Sequence, residues 1–331
     1  MKKDDMIMKM GIVHILDSVV GMPVLSDCPI DMGSNLCDFL KAHIEKFTES
    51  DDMKVCQFSD ESEVMGLIQN CNAENFVQTS RALIMNSNID IPAADVAVVV
   101  FSAEGVDYFG FLKLNYKTSY THATKATETG ENLNDIILQK AILPSAGQKL
   151  SEAFLVNLSN GEILLTEKKF EVNGEKKLYF SELFLECHAP MSQKTKLDIV
   201  TKAVEQVNKK YYGDEDTRRK MEVKQAIYDE LEEKGSLEVE AVKEKVFKDS
   251  PQMQADLEEK LEKYNMEKEV VRPKSEATIK KFQKQHLTTD TGIEITIPME
   301  EYKDPEKVEF ITNPDGTISV LIKNIGHLST R

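Results

Sequence analysis

Two segments decide what this chain can fold into. Residues 95–101 (DVAVVVF) and 108–116 (YFGFLKLNY) are runs of β-branched and aromatic side chains, separated by the polar, glycine-containing stretch 102–107 (SAEGVD). Such side chains crowd a helix backbone but fill the pleated surface of a sheet, so the pair predicts a β-hairpin of two well-buried strands. Residues 6–25 read as two further short strands, punctuated by Gly21 and Pro23. Ser34 is placed to cap a helix carrying Leu36, Phe39, Leu40, Ile44 and Phe47 at 3–4 spacing. Two more helices are expected near 60–70 and over 74–87, the second presenting Phe76, Ser80, Leu83 and Ile84 on one face. Strands are expected over 119–126, 150–157 and 161–170, with Asn160 and Gly161 as a type I′ turn between the last two. Residues 1–190 therefore read as a domain with a mixed, mostly antiparallel sheet and helices packed on it.

From residue 191 the period changes. Leu197, Val200, Val204, Val207 and Tyr211 step by three and four, one face of a helix of about four turns. Met221, Ala226, Ile227 and Leu231 continue in a second helix, stopped by Gly235. Ser236 opens a third with Val239, Val242 and Val246, and Ser250 with Pro251 opens a fourth with Leu257 and Leu261. After Pro273 a short helix is expected over 276–286, then a small sheet. There Ile293, Ile295 and Ile297 alternate with polar residues, as do Val308 and Phe310, and 313–316 (NPDG) turns the chain into 317–322 (TISVLI). The fold class is α+β in three parts: an α+β domain at 1–190, a helical segment at 191–272, and a basic helix plus small β-sheet at 273–331.

The chemistry is marked by what is missing. Cys28, Cys37, Cys56, Cys71 and Cys187 are odd in number and form no C-x-x-C pair, which suits reduced, buried thiols rather than disulfides or a zinc site. Cys187 and His188 are adjacent, inviting a nucleophile–base reading. Neighbours in sequence rarely point that way, and a thiolate needs its base from elsewhere in the fold. His14, His43, His122, His286 and His327 show no metal-ligand spacing, and no glycine-rich phosphate loop or nucleophile elbow occurs. No catalytic residue, metal or cofactor is assigned, and the chain reads as a non-enzymatic binding protein; a hydrolase using Cys187 or a carboxylate cluster is the outlying alternative. No 18-residue apolar stretch and no export signal are present, so no membrane partner and a cytoplasmic location are expected.

Charge then narrows the partner. The 331 residues carry 41 basic and 57 acidic groups, a net −16, of which residues 1–190 hold −12. That half repels a polyanion, so any nucleic acid contact falls to the remainder. Residues 272–286 (RPKSEATIKKFQKQH) hold five basic groups against one acidic. On the expected helix Lys280, Lys281 and Lys284 lie within one turn, anchored by Ile279 and Phe282, and Lys274 precedes them. Lys194 with Lys196, and Arg218, Arg219 and Lys220, are weaker patches, the second preceded by the acidic run 214–216 (DED). The competing reading is an ordinary exposed helix whose lysines pair with glutamates. Since no aromatic ladder accompanies the lysines, duplex DNA fits better than a single strand.

Three sets of residues together resemble the bacterial nucleoid-associated proteins of about 37 kDa, the mass of this chain. They are 108–116 running on to Tyr120 and His122, the stretch 178–188 (LYFSELFLECH), and the sheet 292–297 (GIEITI) with its closing strand 318–324 (ISVLIKN). The resemblance implies association with the bacterial nucleoid through DNA or chromosome-associated proteins, with no catalytic residues. Self-association as a homodimer through residues 1–190 is a further expectation. A chain this acidic is an awkward DNA coat, which leaves a second reading: an acidic interaction module brought to the nucleoid by a DNA-processing enzyme, without touching DNA.

Overall fold

In the computed structural model, which describes residues 1–16, 22–86, 93–126, 129–172, 174–213 and 216–329, the two apolar runs pair antiparallel from Ala94 opposite Asn115 to Ala103 opposite Val106. Glu104 and Gly105 join them with φ of 51° and 80°, the two left-handed residues of a type I′ turn. The chain divides into two compact units, Met1–Met191 and Ser192–Arg331.

The first unit contains β1 (Met6–Leu16), α1 (Ser34–Thr48), β2 (Lys54–Phe58), α2 (Glu63–Gln69), α3 (Phe76–Asn86), β3 (Ala94–Ala103), β4 (Val106–Asn115), β5 (Lys117–Ala126), β6 (Asn132–Ile142), β7 (Ala153–Asn157), β8 (Glu162–Thr166), β9 (Lys169–Val172), β10 (Glu175–Leu178) and β11 (Cys187–His188), with a π-helical turn at Tyr179–Phe184. Seven strands form one antiparallel sheet in the order β1-β3-β4-β7-β8-β2-β11. Alternate residues of β3 enter different cores. Val96, Val98 and Val100, with Phe109, Phe111 and Phe154, meet α3 and the π-helical turn. Ala97, Val99 and Phe101, with Leu112 and Leu155, meet Leu40, Ile44 and Phe47 of α1. Because helices cover both faces, the strands read as continuous apolar runs rather than as an alternation. Phe111 and Phe154 stack at 5.0 Å, and Phe180 sits edge-on to both.

Lys113 of β4 is the exception, a fully buried ammonium. Its Nζ donates to Glu152 Oε1 at 2.8 Å, Asn115 Nδ2 donates to Glu152 Oε2 at 3.0 Å, and the Tyr179 hydroxyl donates to the same carboxylate. The ring of Phe170 faces the ammonium at 5.1 Å. Burial pushes the Lys113 pKa down, and the carboxylate opposes it; removing one partner of such a pair strands a charge in the core. His14 of β1 is also fully buried. Its Nδ1 accepts the Ser26 N–H at 3.1 Å, so Nε2 carries the proton and donates to Ser80 Oγ at 3.1 Å, while Ser80 donates on to Val77 O at 2.8 Å. Serine and histidine are thus tied as a structural bond, with the proton held on the ring.

Several expectations needed correction. Residues 6–25 give one strand, β1, and a single bridge between Ile15 and Val24; residues 17–21 there, and residue 87 at the end of the helix expected over 74–87, lie outside the described residues. Gly33, not Ser34, is the N-cap of α1. Residues 158–161 form a four-residue loop in which Gly161 alone is left-handed, and its N–H bonds Asn157 O, so the turn is not type I′. Over 132–142, where the local pattern predicts no strand, β6 pairs β5.

The second unit contains α4 (Gln193–Tyr212), α5 (Thr217–Lys234), β12 (Leu237–Glu238), α6 (Val239–Val246), α7 (Pro251–Glu262), β13 (Val270–Val271), α8 (Glu276–Lys280), β14 (Lys284–Thr288), β15 (Glu294–Pro298), α9 (Met299–Lys303), β16 (Val308–Thr312) and β17 (Ile318–Ile322). Ser192 Oγ accepts the Thr195 N–H and caps α4, and the Asp216 carboxylate accepts the Arg219 N–H and caps α5. Gly235, with φ of 64°, ends α5. The third helix starts at Val239 rather than Ser236, because Leu237 and Glu238 first pair with Val271 and Val270. The helix expected over 276–286 stops at Lys280. Beyond it Gln285 is buried opposite Ile297, and Leu287 is half-buried opposite Ile295. Side chains alternating across a ladder overrule the local helical spacing.

Two outcomes follow for the first unit. A Cβ on Gly110 would stand 2.9 Å from both Leu155 Cδ2 and Val99 Cγ2, so Gly110→Ala lowers stability by about 1–3 kcal/mol, read as a lower urea midpoint at unchanged slope. Burial, with Arg81 adding to it, pushes the His14 pKa down to about 4. Because the unfolded chain takes up the proton first, His14 contributes stability above about pH 6.5 that is lost as pH falls to about 4, at most about 3 kcal/mol. His14→Gln flattens the stability–pH curve across that window.

Candidate nucleic acid interface

In the second unit β14 lies along α5. The buried Gln285 donates its Nε2 to Met221 O at 3.0 Å, and Lys224 Nζ donates to Lys284 O at 2.5 Å. Between the two elements and α4 is a cleft of about 330 Å³, lined by Lys220, Lys224 and His286, by Thr201 and Thr217, and by one carboxylate, Glu205, among others. Lys220 and Lys224 are one helical turn apart on α5. Lys284 and His286, two residues apart, share the exposed face of β14. Lys281 sits in the turn leading into that strand, exposed to solvent. Partial burial pushes the Lys224 pKa down, and the Lys284 carbonyl holds its ammonium. The Thr201 hydroxyl oxygen is buried at the cleft without a hydrogen-bond partner. Ammonium and hydroxyl donors around a shallow, half-open depression can hold an oxyanion such as a phosphate.

The residues singled out from sequence separate into groups. Lys280 ion-pairs with Glu276 at 2.9 Å on α8, with both side chains largely exposed; such a pair is worth roughly 0–1 kcal/mol and yields readily to a phosphate. Lys280, Lys281 and Lys284 do not share a helical turn, since the chain leaves the helix after Lys280 and Lys284 begins a strand. Lys274 is exposed in the segment before α8. Arg218 and Arg219 both reach Glu222, at 3.4 and 2.9 Å, and the Arg219 guanidinium covers the Tyr212 ring at 4.7 Å. Lys194 and Lys196 are in the first turn of α4, where Lys196 pairs with Glu269 at 2.9 Å. From Lys196, α4 rises about 8 Å to Thr201 at the cleft. Packing thus brings Lys220, Lys224 and His286 to one cleft, joins Lys224 to the Lys284 carbonyl, and leaves Lys194 and Lys196 outside the lining, in the first turn of α4. Asp216 is used as a cap, while Asp214 and Glu215 lie outside the described residues. The i, i+4 spacing of Lys220 and Lys224 was a legible signal; nothing local joined it to residue 284.

The Cys187–His188 pair does not assemble into a nucleophile and base. Successive strand residues point to opposite faces, and the Cys187 thiol lies against Cys56, whose hydrogen bond, together with burial, pushes its pKa up. A thiol so held is the protonated, unreactive form. Among the described residues no helix is long and apolar enough to cross a membrane.

A family model described as NA37, nucleoid-associated protein YejK, matches residues 12–328. The chain belongs to that family. No curated protein matches it.

The register between β14 and α5 rests on Gln285. Gln285→Ala costs the second unit about 1 kcal/mol, and hydrogen exchange measured along residues 283–288 of the full chain rises accordingly.

Proposed function

We propose that this member of the nucleoid-associated family acts without catalysis, touching duplex DNA through phosphate contacts made by Lys220, Lys224, Lys281 and Lys284 at the edge of the α5–β14 cleft. The observation that carries the reading is the packing of β14 against α5, which gathers cations from two stretches about 60 residues apart. The charge balance agrees. Residues 1–190 carry −12 of the net −16, so an approaching polyanion is turned toward the second unit. Lysines on phosphates release counterions and read no base edges, so binding of this kind tolerates many sequences, as association along a whole chromosome requires. Arg218 and Lys280 extend the contact when their surface ion pairs with Glu222 and Glu276 open, and the exposed Lys274 adds to it. The same acidity of the first unit supports a second reading, recruitment by a chromosome-associated protein with no DNA contact.

A duplex titration across salt concentrations separates the two. Direct contact gives a linear log–log dependence, and Lys220→Gln with Lys281→Gln and Lys284→Gln reduces its slope by about 2–3 at every sequence tried. Absence of duplex binding even at about 50 mM salt removes the direct reading and leaves the protein partner.

A further inference from the structure

β5 and β6 stand apart from the sheet that feeds them. β5 follows β4 after Tyr116, pairs only with β6 in a two-stranded sheet, and its partner returns the chain toward β7. Nearly every described residue of both strands is exposed, on both faces. The register sets Tyr120 opposite Leu138 and His122 opposite Ile136, so these four share one face. Tyr120 and Ile136 are each 72% exposed and Leu138 45%. Leu133 and Ile137 are exposed on the opposite face. A two-stranded ribbon is marginal in water on its own, and contiguous apolar surface on a chain this charged marks a contact. Neither strand contains proline, and the register shift lies at the base, between Lys117 and Ser119. Along the outer edges the lysines and the Asp135 carboxylate, which accepts the Ile136 N–H at 2.7 Å, are the blunting devices present, and neither edge has a further strand partner among the described residues.

Charge selects the occupant. Residues 117–142 carry three lysines (Lys117, Lys125, Lys140) and three acids (Glu128, Glu131, Asp135), a balance of zero inside a region of −12. A polyanion finds no attraction there. A second copy, carrying the same net −12 over residues 1–190, meets no net like charge on this ribbon. A ribbon of ten residues is about 33 Å long and about 10 Å wide, so one face offers roughly 330 Å² and a paired strand edge adds to it, part of the ~800 Å² per partner of a standard-size complex.

We propose that the β5–β6 ribbon is a dimerisation arm that packs on the same arm of a second copy of this chain. The contact is isologous: Tyr120, Ile136 and Leu138 of one copy lie against their counterparts across a two-fold axis, and a strand edge of each ribbon is open to pair with the other. Tyr120 supplies the aromatic anchor, with its hydroxyl left at the wet rim. This inference stands independently of the phosphate contacts proposed for the second unit.

The test is the mass of the full chain in solution, by light scattering and sedimentation equilibrium at micromolar concentration. The wild-type chain sediments as a dimer. Ile136→Glu with Leu138→Glu sets like charges face to face and halves the apparent mass, while the unfolding midpoint of the core and the far-ultraviolet spectrum stay unchanged. Should that variant misfold, replacement of residues 119–140 by a short glycine–serine turn serves instead, with the same halving expected. A monomeric wild-type chain overturns the proposal, as does a variant that stays dimeric. A monomeric wild-type chain whose duplex binding is lost with the ribbon substitutions would instead assign the ribbon to DNA. Lys220→Gln with Lys281→Gln and Lys284→Gln leaves the dimer mass intact, so failure of the phosphate reading and failure of this one are told apart.

Discussion

The first unit is organised by a sheet whose central strands are covered on both faces. With α1 on one side and α3 with the π-helical turn on the other, no side chain in the middle of β3 or β4 reaches water. Every position there must be apolar or bring its own partner. Lys113 is the position that departs, and its ammonium commits Glu152, Asn115 and Tyr179 to one place. That ties the segment before β7 and the entry to the π-helical turn to the centre of the sheet. Gly110 answers the same crowding by having no side chain where Val99 and Leu155 close in. A polar group in such a core is tolerated only as a complete network, because a half-satisfied one costs more than an apolar replacement.

Where that cover stops, at Asn115, the chain changes character. β5 and β6 expose apolar and polar residues on both faces with no neighbouring layer, and their charge cancels in an otherwise acidic region. The second unit solves a different problem. Its helices bury single stripes, leaving long lysine- and glutamate-rich faces, and most of the resulting ion pairs are exposed and weak. The phosphate contact proposed for it lies at one cleft, where two hydrogen bonds between β14 and α5 join segments of distant sequence origin. An acidic body, a neutral arm and a local cationic edge give family membership in the nucleoid-associated group a physical form.

Much of the fold was readable because it depends on near neighbours. The 95–101 and 108–116 runs declared a buried hairpin, and the stripes on α1, α4, α5 and α7 declared helices, since side-chain period reports which faces are covered. Errors gathered where pairing across distance decided. Residues 276–286 carry a respectable helical spacing, yet Gln285 and Leu287 found a ladder with Ile297 and Ile295. Residues 132–142 lack a clean alternation because neither face of β6 is buried in the unit, so the usual strand signal is absent. The candidate interface was legible only in part. Lys284 and Lys220 could be named one by one, but Lys224 and His286 gain meaning only from the cleft they line.

By itself, then, the sequence determined the α+β class, the hairpin at the centre of the first unit, the helical stripes of the second, and a charge distribution that turns any polyanion away from residues 1–190. Each of these is set by local period or by composition, and neither depends on which distant segments meet. Tertiary structure alone decided that Lys113 is buried with its own counter-charge, that the lysines after Pro273 part company at the end of α8, and that Lys220, Lys224 and His286 line one cleft, with Lys224 bonded to the Lys284 carbonyl, while Lys194 and Lys196 are outside its lining. Those outcomes come from strand register and from the docking of β14 on α5, which are fixed by long-range pairing and burial that no single window of sequence contains.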